Sequence, residues 1–177
     1  MTETLSPALP DDVERLIHEV LRAACDRELK LVTAESCTGG LLASLLTDVD
    51  GCGHAFDRGF VPYTDEAKTE TLDVSADLLR RFTAVSAPVA EAMARGALAK
   101  SDGDIAVSIT GFAGRGAPGE EPGLVHFAVL RRGGEPRLHE AHFGDIGRGP
   151  VRLACLRQAL TMLREAIVAA PGRVHTS

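Results

Sequence analysis

The apolar residues of this chain alternate between helical and strand-like spacing along its length, and that alternation limits the architectures open to it. Val13, Leu16, Ile17, Val20, Leu21 and Ala24 recur at helical spacing and form one stripe over residues 13–25. Pro10 with Asp11, Asp12 and Glu14 suits the start of that helix, where acids complement the dipole. Leu29 to Ala34 then predicts a short buried strand. Glu35-Ser36-Cys37-Thr38-Gly39-Gly40 forms a tight turn into a second helix body, Leu41 to Leu46. Residues 52–63 predict a strand ending near Tyr63, and Thr64 or Asp65 can cap a short helix containing Lys68. Ser75 is a further N-cap, before Ala76 to Phe82. Ser86 opens a helix over 87–100, with Pro88 tolerated in its first turn.

Ile105 to Thr110 is a compact strand-like run, followed by a Gly/Pro-rich loop from Gly111 to Pro122. A loop of that length points to function rather than mere connection. Leu124 to Leu130 and Leu138 to Phe143 predict two strands joined through a turn at Gly133 and Gly134. A last helix begins near Pro150, with Leu153, Leu156, Leu160, Leu163 and Ile167 as its stripe and Pro171 and Gly172 at its end. Interleaved helices and strands imply a mixed sheet covered on both faces, a three-layer α/β/α sandwich. The 177 residues suit one domain, with its core over about 12–168. In such sheets ligands gather beyond strand ends, which here are near Ser36, Tyr63 and Thr110.

Bulk properties exclude several functions. A formal net charge of -6 argues against nucleic-acid binding, which needs clustered Lys and Arg. The chain has no Trp and one Tyr, so it also lacks a base-stacking platform. No apolar run reaches membrane-spanning length, and Met1 to Asp12 has no apolar segment of the secretory type. Cys25, Cys37, Cys52 and Cys155 are scattered without zinc-ligand spacing, and are expected as free thiols in a reducing cytoplasm.

The turn at 35–40 is the richest candidate for chemistry. Ser36 and Thr38 there are open to two roles. One is as an ordinary N-cap with glycines tightening the turn, the other a nucleophile beside helix amides that could bind a phosphate or an oxyanion. None of the six histidines sits in a recognisable Ser-His-Asp motif. His126, His139 and His142 suit a strand surface better than a metal site. Lys68 is the alternative base, with Tyr63 as proton relay, provided that burial or a nearby positive charge from Arg148 or Arg152 lowers its pKa. Lys68 could equally be a solvated helix residue. Cys37 is a rival nucleophile or a packing residue. Thr110-Gly111-Phe112-Ala113-Gly114 opens the long loop, which either closes over a ligand or is a mobile connection. Glu120-Glu121 and Asp11-Asp12 suit solvated loops, and no metal is assigned.

Several motifs together resemble one family. Thr33-Ala34-Glu35-Ser36-Cys37-Thr38-Gly39-Gly40-Leu41-Leu42 resembles the signature of the C-terminal domain of the competence/damage-inducible protein CinA. Phe56-Asp57-Arg58-Gly59-Phe60-Val61 with Tyr63, and Glu66-Ala67-Lys68-Thr69, are similar to its second block. Ala84-Val85-Ser86, Thr110-Gly111 with Ala113-Gly114, Phe143-Gly144-Asp145 and Val151-Arg152 complete the resemblance, which spans about residues 12–168. That family includes nicotinamide-nucleotide amidases, which hydrolyse nicotinamide mononucleotide to nicotinate mononucleotide and ammonia.

The resemblance implies Ser36 as nucleophile and Tyr63 and Lys68 as the proton-transfer pair. It also implies substrate contacts among Thr38, Gly39, Gly40, Thr110, Gly111, Gly114, Arg148 and Arg152, to which Arg115, a departure from the family loop, could add a phosphate contact. No metal or organic cofactor is expected, the partner is a small nucleotide substrate, and a homo-oligomer is expected. The sequence departs from the family pattern at Pro62, in the loop Ala113-Gly114-Arg115-Gly116 to Pro122-Gly123-Leu124-Val125, and in a longer stretch from Gly144 to Arg152. The first removes a backbone donor. The others leave open whether Arg148 or Arg152 is the equivalent arginine, and whether the chain is an amidase for this nucleotide, an amidase for another small amide, or a non-catalytic nucleotide-binding module. The larger family protein's N-terminal molybdopterin-binding-like domain has no counterpart in these residues.

Overall fold

In the computed structural model, which describes residues 9–169, five strands form one sheet in the order β2-β1-β3-β4-β5. The strands are β1 (Leu31–Glu35), β2 (Phe56–Phe60), β3 (Ile105–Gly111), β4 (Leu124–Arg131) and β5 (Arg137–His142). The helices are α1 (Asp11–Cys25), α2 (Leu41–Leu45), α3 (Asp65–Leu72), α4 (Ala76–Phe82), α5 (Ala87–Ala99) and α6 (Arg148–Val168). β1 runs parallel to both β2 and β3, whereas β4 and β5 pair antiparallel, so the sheet is mixed.

The two faces of the sheet are packed differently. Ile105, Val107 and Ile109 of β3 point with Val125, Phe127 and Val129 of β4 into a core built with α1, α2 and α6. Each fully buried Leu or Ile there contributes about 1.5–3 kcal/mol. On the other face Ala34, Ala106 and Ala128 meet Ala90, Ala94 and Ala97 of α5. Small residues on both sides let α5 lie close to the strands, and Ser108 Oγ donates to the Ala90 carbonyl at 2.6 Å. Side chains alternate between the two faces of the sheet, and both faces of β1, β3 and β4 are buried, which yields the three-layer α/β/α sandwich that the sequence implies.

Several element boundaries differ from expectation, each for a local reason. β2 ends at Phe60 rather than near Tyr63, and residues 53–55 are a short 3-10 turn. Pro62 has no N–H to extend the ladder, so Tyr63 lies in the following loop. Thr64, not Asp65, caps α3, its hydroxyl accepting from Ala67 N–H at 3.1 Å. Ser75 caps α4 through Asp77 N–H, while Ser86 makes no capping bond and donates instead to the Thr83 carbonyl. α6 starts at Arg148, before Pro150. Pro171 and Gly172, expected to end it, lie outside the described residues.

β1 leads through α2 to β2 on one side, and β2 returns through α3, α4 and α5 to β3 on the other. The strand order thus reverses beside β1, and the carboxyl ends of β1 and β3 open into the crevice that α/β folds use for ligands.

Candidate functional site

Ser36 follows the last residue of β1, and its backbone N–H donates to the Ile109 carbonyl at 2.9 Å, so the strand ladder fixes its main chain. Gly39 and Gly40 then take positive φ, 64° and 89°, which turns the chain sharply into α2. Neither Ser36 nor Thr38 caps that helix. The N-cap is Gly40, and no side chain caps it from that position. Nor are the first-turn amides free for a ligand. Glu35 Oε1 accepts from Ala43 N–H at 2.7 Å and Oε2 from Leu42 N–H at 3.0 Å. A buried carboxylate, engaged at both oxygens, takes the helix end that the sequence left for a phosphate or oxyanion. The amides of Cys37, Thr38 and Gly40 take no part in the described backbone hydrogen bonding. They are the donors this turn leaves available.

Lys68 reaches the turn from α3. Its side chain is 1% exposed, and Nζ lies 3.5 Å from Ser36 Oγ and donates to the Tyr63 carbonyl at 3.1 Å. Burial pushes the lysine pKa below its usual value, while Asp65 and Cys37 pull it back upward. Burial, rather than an arginine, is therefore what favours the neutral amine. The solvated-helix alternative for Lys68 does not survive this placement. Tyr63 contributes its carbonyl, and its ring is 64% exposed beside the site.

A cavity of about 280 Å³ brings together Ser36, Tyr63, Lys68, Thr110, Gly111 and Gly114. Arg115, Arg148 and Glu120 also line it. The Thr110 hydroxyl is committed to the Ala84 carbonyl at 2.7 Å and so ties β3 to the segment before α5. Arg115 pairs with Asp145 at 2.7 Å. The guanidinium of Arg148, the first residue of α6, lies against Gly114. Thr38, Gly39, Gly40 and Arg152 are not among the cavity-lining residues. Thr38 is buried, with an Oγ1 that finds no partner among the described residues. Arg152 Nε donates to the Cys37 carbonyl at 2.8 Å, holding the turn from behind.

Cys37 lines the cavity but is otherwise buried in the core, as is Cys155. The interaction of the two thiols, with Arg152 nearby, lowers the Cys37 pKa, and the same interaction together with burial raises that of Cys155. All four cysteines are free. The loop after β3 is neither a free flap nor a bare connection. Phe112 pairs with Leu124 and Gly123 through backbone bonds, and Glu120 accepts from Ala117 N–H at 2.7 Å. Its far end is tied by His142, which bridges Glu121 at 2.7 Å and Glu140 at 2.9 Å.

Two functional placements escaped the sequence. Glu35 lacks the three-residue spacing of a capping box, and the only signal was an acid placed after a buried strand and before a helix with a bare glycine at its N-cap. The Arg152 contact joins residues too distant in sequence for any local pattern. Among the described residues, no group of three or more His, Cys, Asp or Glu could hold a metal ion, and no helix is long and apolar enough to cross a membrane.

Comparison with known proteins agrees with this fold. The profile of the CinA C-terminal domain matches residues 13–167. A CinA-like protein of Akkermansia muciniphila is 50% identical over 113 residues, 63% of this chain and 27% of that protein. A putative competence-damage inducible protein of Caldicellulosiruptor saccharolyticus is 41% identical over 159 residues, 89% of this chain and 38% of that protein. The chain therefore spans well under half the length of these relatives. Among solved structures, the competence/damage inducible protein CihA of Agrobacterium tumefaciens superposes with TM-score 0.86 at 42% identity, covering 95% of this chain and 99% of that one. The competence damage-inducible protein A of Klebsiella pneumoniae gives TM-score 0.84 at 35% identity, covering 90% and 99%.

Proposed function

This chain belongs to the CinA C-terminal domain family, and we propose that it is a nicotinamide-nucleotide amidase using Ser36 as nucleophile. The observation that carries the proposal is the buried Lys68 amine 3.5 Å from Ser36 Oγ at the wall of a cavity. A serine hydroxyl is a weak nucleophile until a base takes its proton. A lysine whose pKa is lowered by burial can be that base.

In this mechanism Ser36 Oγ attacks the carboxamide carbon while its proton passes to the neutral Lys68 amine. The N–H groups of Cys37 and Thr38 receive the developing oxyanion. The C–N bond then breaks, and the departing nitrogen takes the proton from Lys68, directly or through the Tyr63 hydroxyl. Ammonia leaves and an ester on Ser36 remains. Lys68 next draws a proton from a water, which attacks the ester and returns Ser36 to its hydroxyl. Arg148 at the positive end of α6 supplies an anchor for the nucleotide phosphate. The chemistry needs no metal or organic cofactor. We place the enzyme in the cytoplasm as a homo-oligomer.

The test is ammonia release from nicotinamide mononucleotide by wild type, Ser36→Ala and Lys68→Ala. Ammonia from wild type alone is the expected result, and conversion by Ser36→Ala at the wild-type rate would overturn the mechanism. The loop from Arg115 to Leu124, which departs from the family pattern and lines the cavity at Arg115, Gly116 and Glu120, favours a second reading, a nucleotide-binding module with little hydrolysis. Tight binding of the mononucleotide without product would support it, and turnover across a panel of small amides would reveal a different substrate.

A further inference from the structure

Glu35 is the residue of the nucleophile turn to which this chemistry gives no task, yet it is fully buried and its carboxylate is engaged at both oxygens. We propose that Glu35 is a positioning residue for Ser36. By capping α2 from inside the fold, it holds the 36–40 turn so that Ser36 Oγ faces Lys68. The inference rests on the reading of Ser36 as nucleophile.

Three observations support it. α2 has five residues, too few to hold its conformation alone. Its N-cap is Gly40, which has no side chain to offer. Ser36 is fixed on one side by its N–H bond to Ile109 of β3. On the other side Arg152 holds the Cys37 carbonyl, but between there and α2 stand Gly39 and Gly40, both of which can adopt many conformations. The Glu35 carboxylate closes that gap, joining the end of β1 to the first turn of α2.

The charge matters as well as the reach. Uncapped, the Leu42 and Ala43 amides at the positive end of α2 would themselves attract an anion. With Glu35 on them, the donors left open at the turn are those of Cys37, Thr38 and Gly40, of which the first two directly follow Ser36 in the chain. A glutamine has the same shape but only one acceptor oxygen, so its NH₂ would face an N–H donor.

The test reads Ser36 reactivity apart from amide hydrolysis. An alkyl fluorophosphonate forms a P–O bond with Ser36 Oγ as the P–F bond breaks, fluoride leaving while the hydroxyl proton goes to Lys68. Labelling is followed by intact mass, well below the melting temperature. Glu35→Gln should label at least tenfold slower than wild type, with kcat for the amide falling likewise and KM within threefold. Glu35→Asp, which keeps the charge but withdraws it by one methylene, should fall between. Val20→Ala, a core change in α1, is the control for lost stability and should label at the wild-type rate. Labelling of Glu35→Gln at the wild-type rate, whatever its melting temperature, overturns the proposal alone. Absence of labelling in wild type overturns the nucleophile reading, and this proposal with it. In wild type, amide hydrogen exchange at Leu42 and Ala43 should be slower than at Cys37 and Thr38, and the reverse order would also overturn it.

Discussion

Arg152 and Cys37, 115 positions apart, are joined where the Nε of the first donates to the carbonyl of the second at 2.8 Å. In a trans peptide the carbonyl and the following N–H point in opposite directions. Fixing the Cys37 carbonyl toward α6 therefore aims the Thr38 N–H away from it. Arg148, one helical turn earlier, lines the cavity instead. The two arginines should thus fail differently. Arg148→Ala should raise KM for the nucleotide about tenfold, the worth of one charged hydrogen bond, with little change in kcat. Arg152→Ala should lower kcat about tenfold, with a smaller effect on KM. Steady-state kinetics on both variants decide it, and an identical pattern in the two would refute the division of roles.

Lys68 should trade stability for activity. Its folded pKa is depressed by burial, so between that value and the ordinary value near ~10.4 the unfolded chain binds more protons than the native one. Stability then rises with pH through that window, and the cost of the buried charge is present in full below the folded pKa. Lys68→Met removes the charge at similar volume. It should melt at a higher temperature than wild type at neutral pH, with the gap closing as pH rises toward the unfolded value, and it should be inactive. In wild type, kcat/KM should rise with pH through a midpoint below that of an ordinary lysine. Thermal melts across pH, beside the pH–rate profile, check both signs.

How much of this was legible in the sequence follows from the range of each interaction. α1 and α6 were readable because their buried stripes repeat at helical spacing, and β3 and β4 because they are compact apolar runs. Tyr63 was placed on a strand because aromatic and β-branched residues precede it, although Pro62 ends the ladder. Lys68 was equally compatible with solvent, since α3 carries only two buried residues, Lys68 and Leu72, and no sustained apolar stripe. Its burial depends on how α3 seats against α5. Arg148 and Arg152 could not be told apart in sequence, because four residues on a helix put them on one face and only the tertiary packing separates their targets.

Two histidines on the β4–β5 ribbon should titrate in opposite directions. His142 is held between Glu121 and Glu140, and their hydrogen bonds raise its pKa. His126 is buried, which lowers its pKa despite Glu140 nearby. The stabilisation from His142 is therefore complete below its unfolded pKa and is lost as pH rises through the raised folded value. NMR titration of the ring protons should give His142 a midpoint above ~6.5 and His126 one below it. Glu121→Gln should shift the His142 midpoint downward and increase amide exchange in residues 117–122, where the loop meets β5.

The seating of α3 on α5 depends on Gly96. A Cβ there would overlap the Leu72 carbonyl at the end of α3. The obstacle is backbone rather than a flexible side chain, so the helices must separate. Gly96→Ala gains helix propensity within α5, worth about 0.8–1 kcal/mol, but overpacking at such a contact costs about 1–3 kcal/mol. A net loss of stability is expected because the obstacle cannot rotate away. Moving α3 outward also draws Lys68 Nζ from Ser36 Oγ, so kcat should fall in the fraction that remains folded. Gly53 is the matched control. A Cβ there meets nothing within 4 Å, and Gly53→Ala should stay within about 0.5 kcal/mol of wild type. Chemical denaturation and steady-state rates on the two variants test the coupling. A Gly96→Ala protein with wild-type kcat would show that the α3–α5 contact does not set the distance between base and nucleophile.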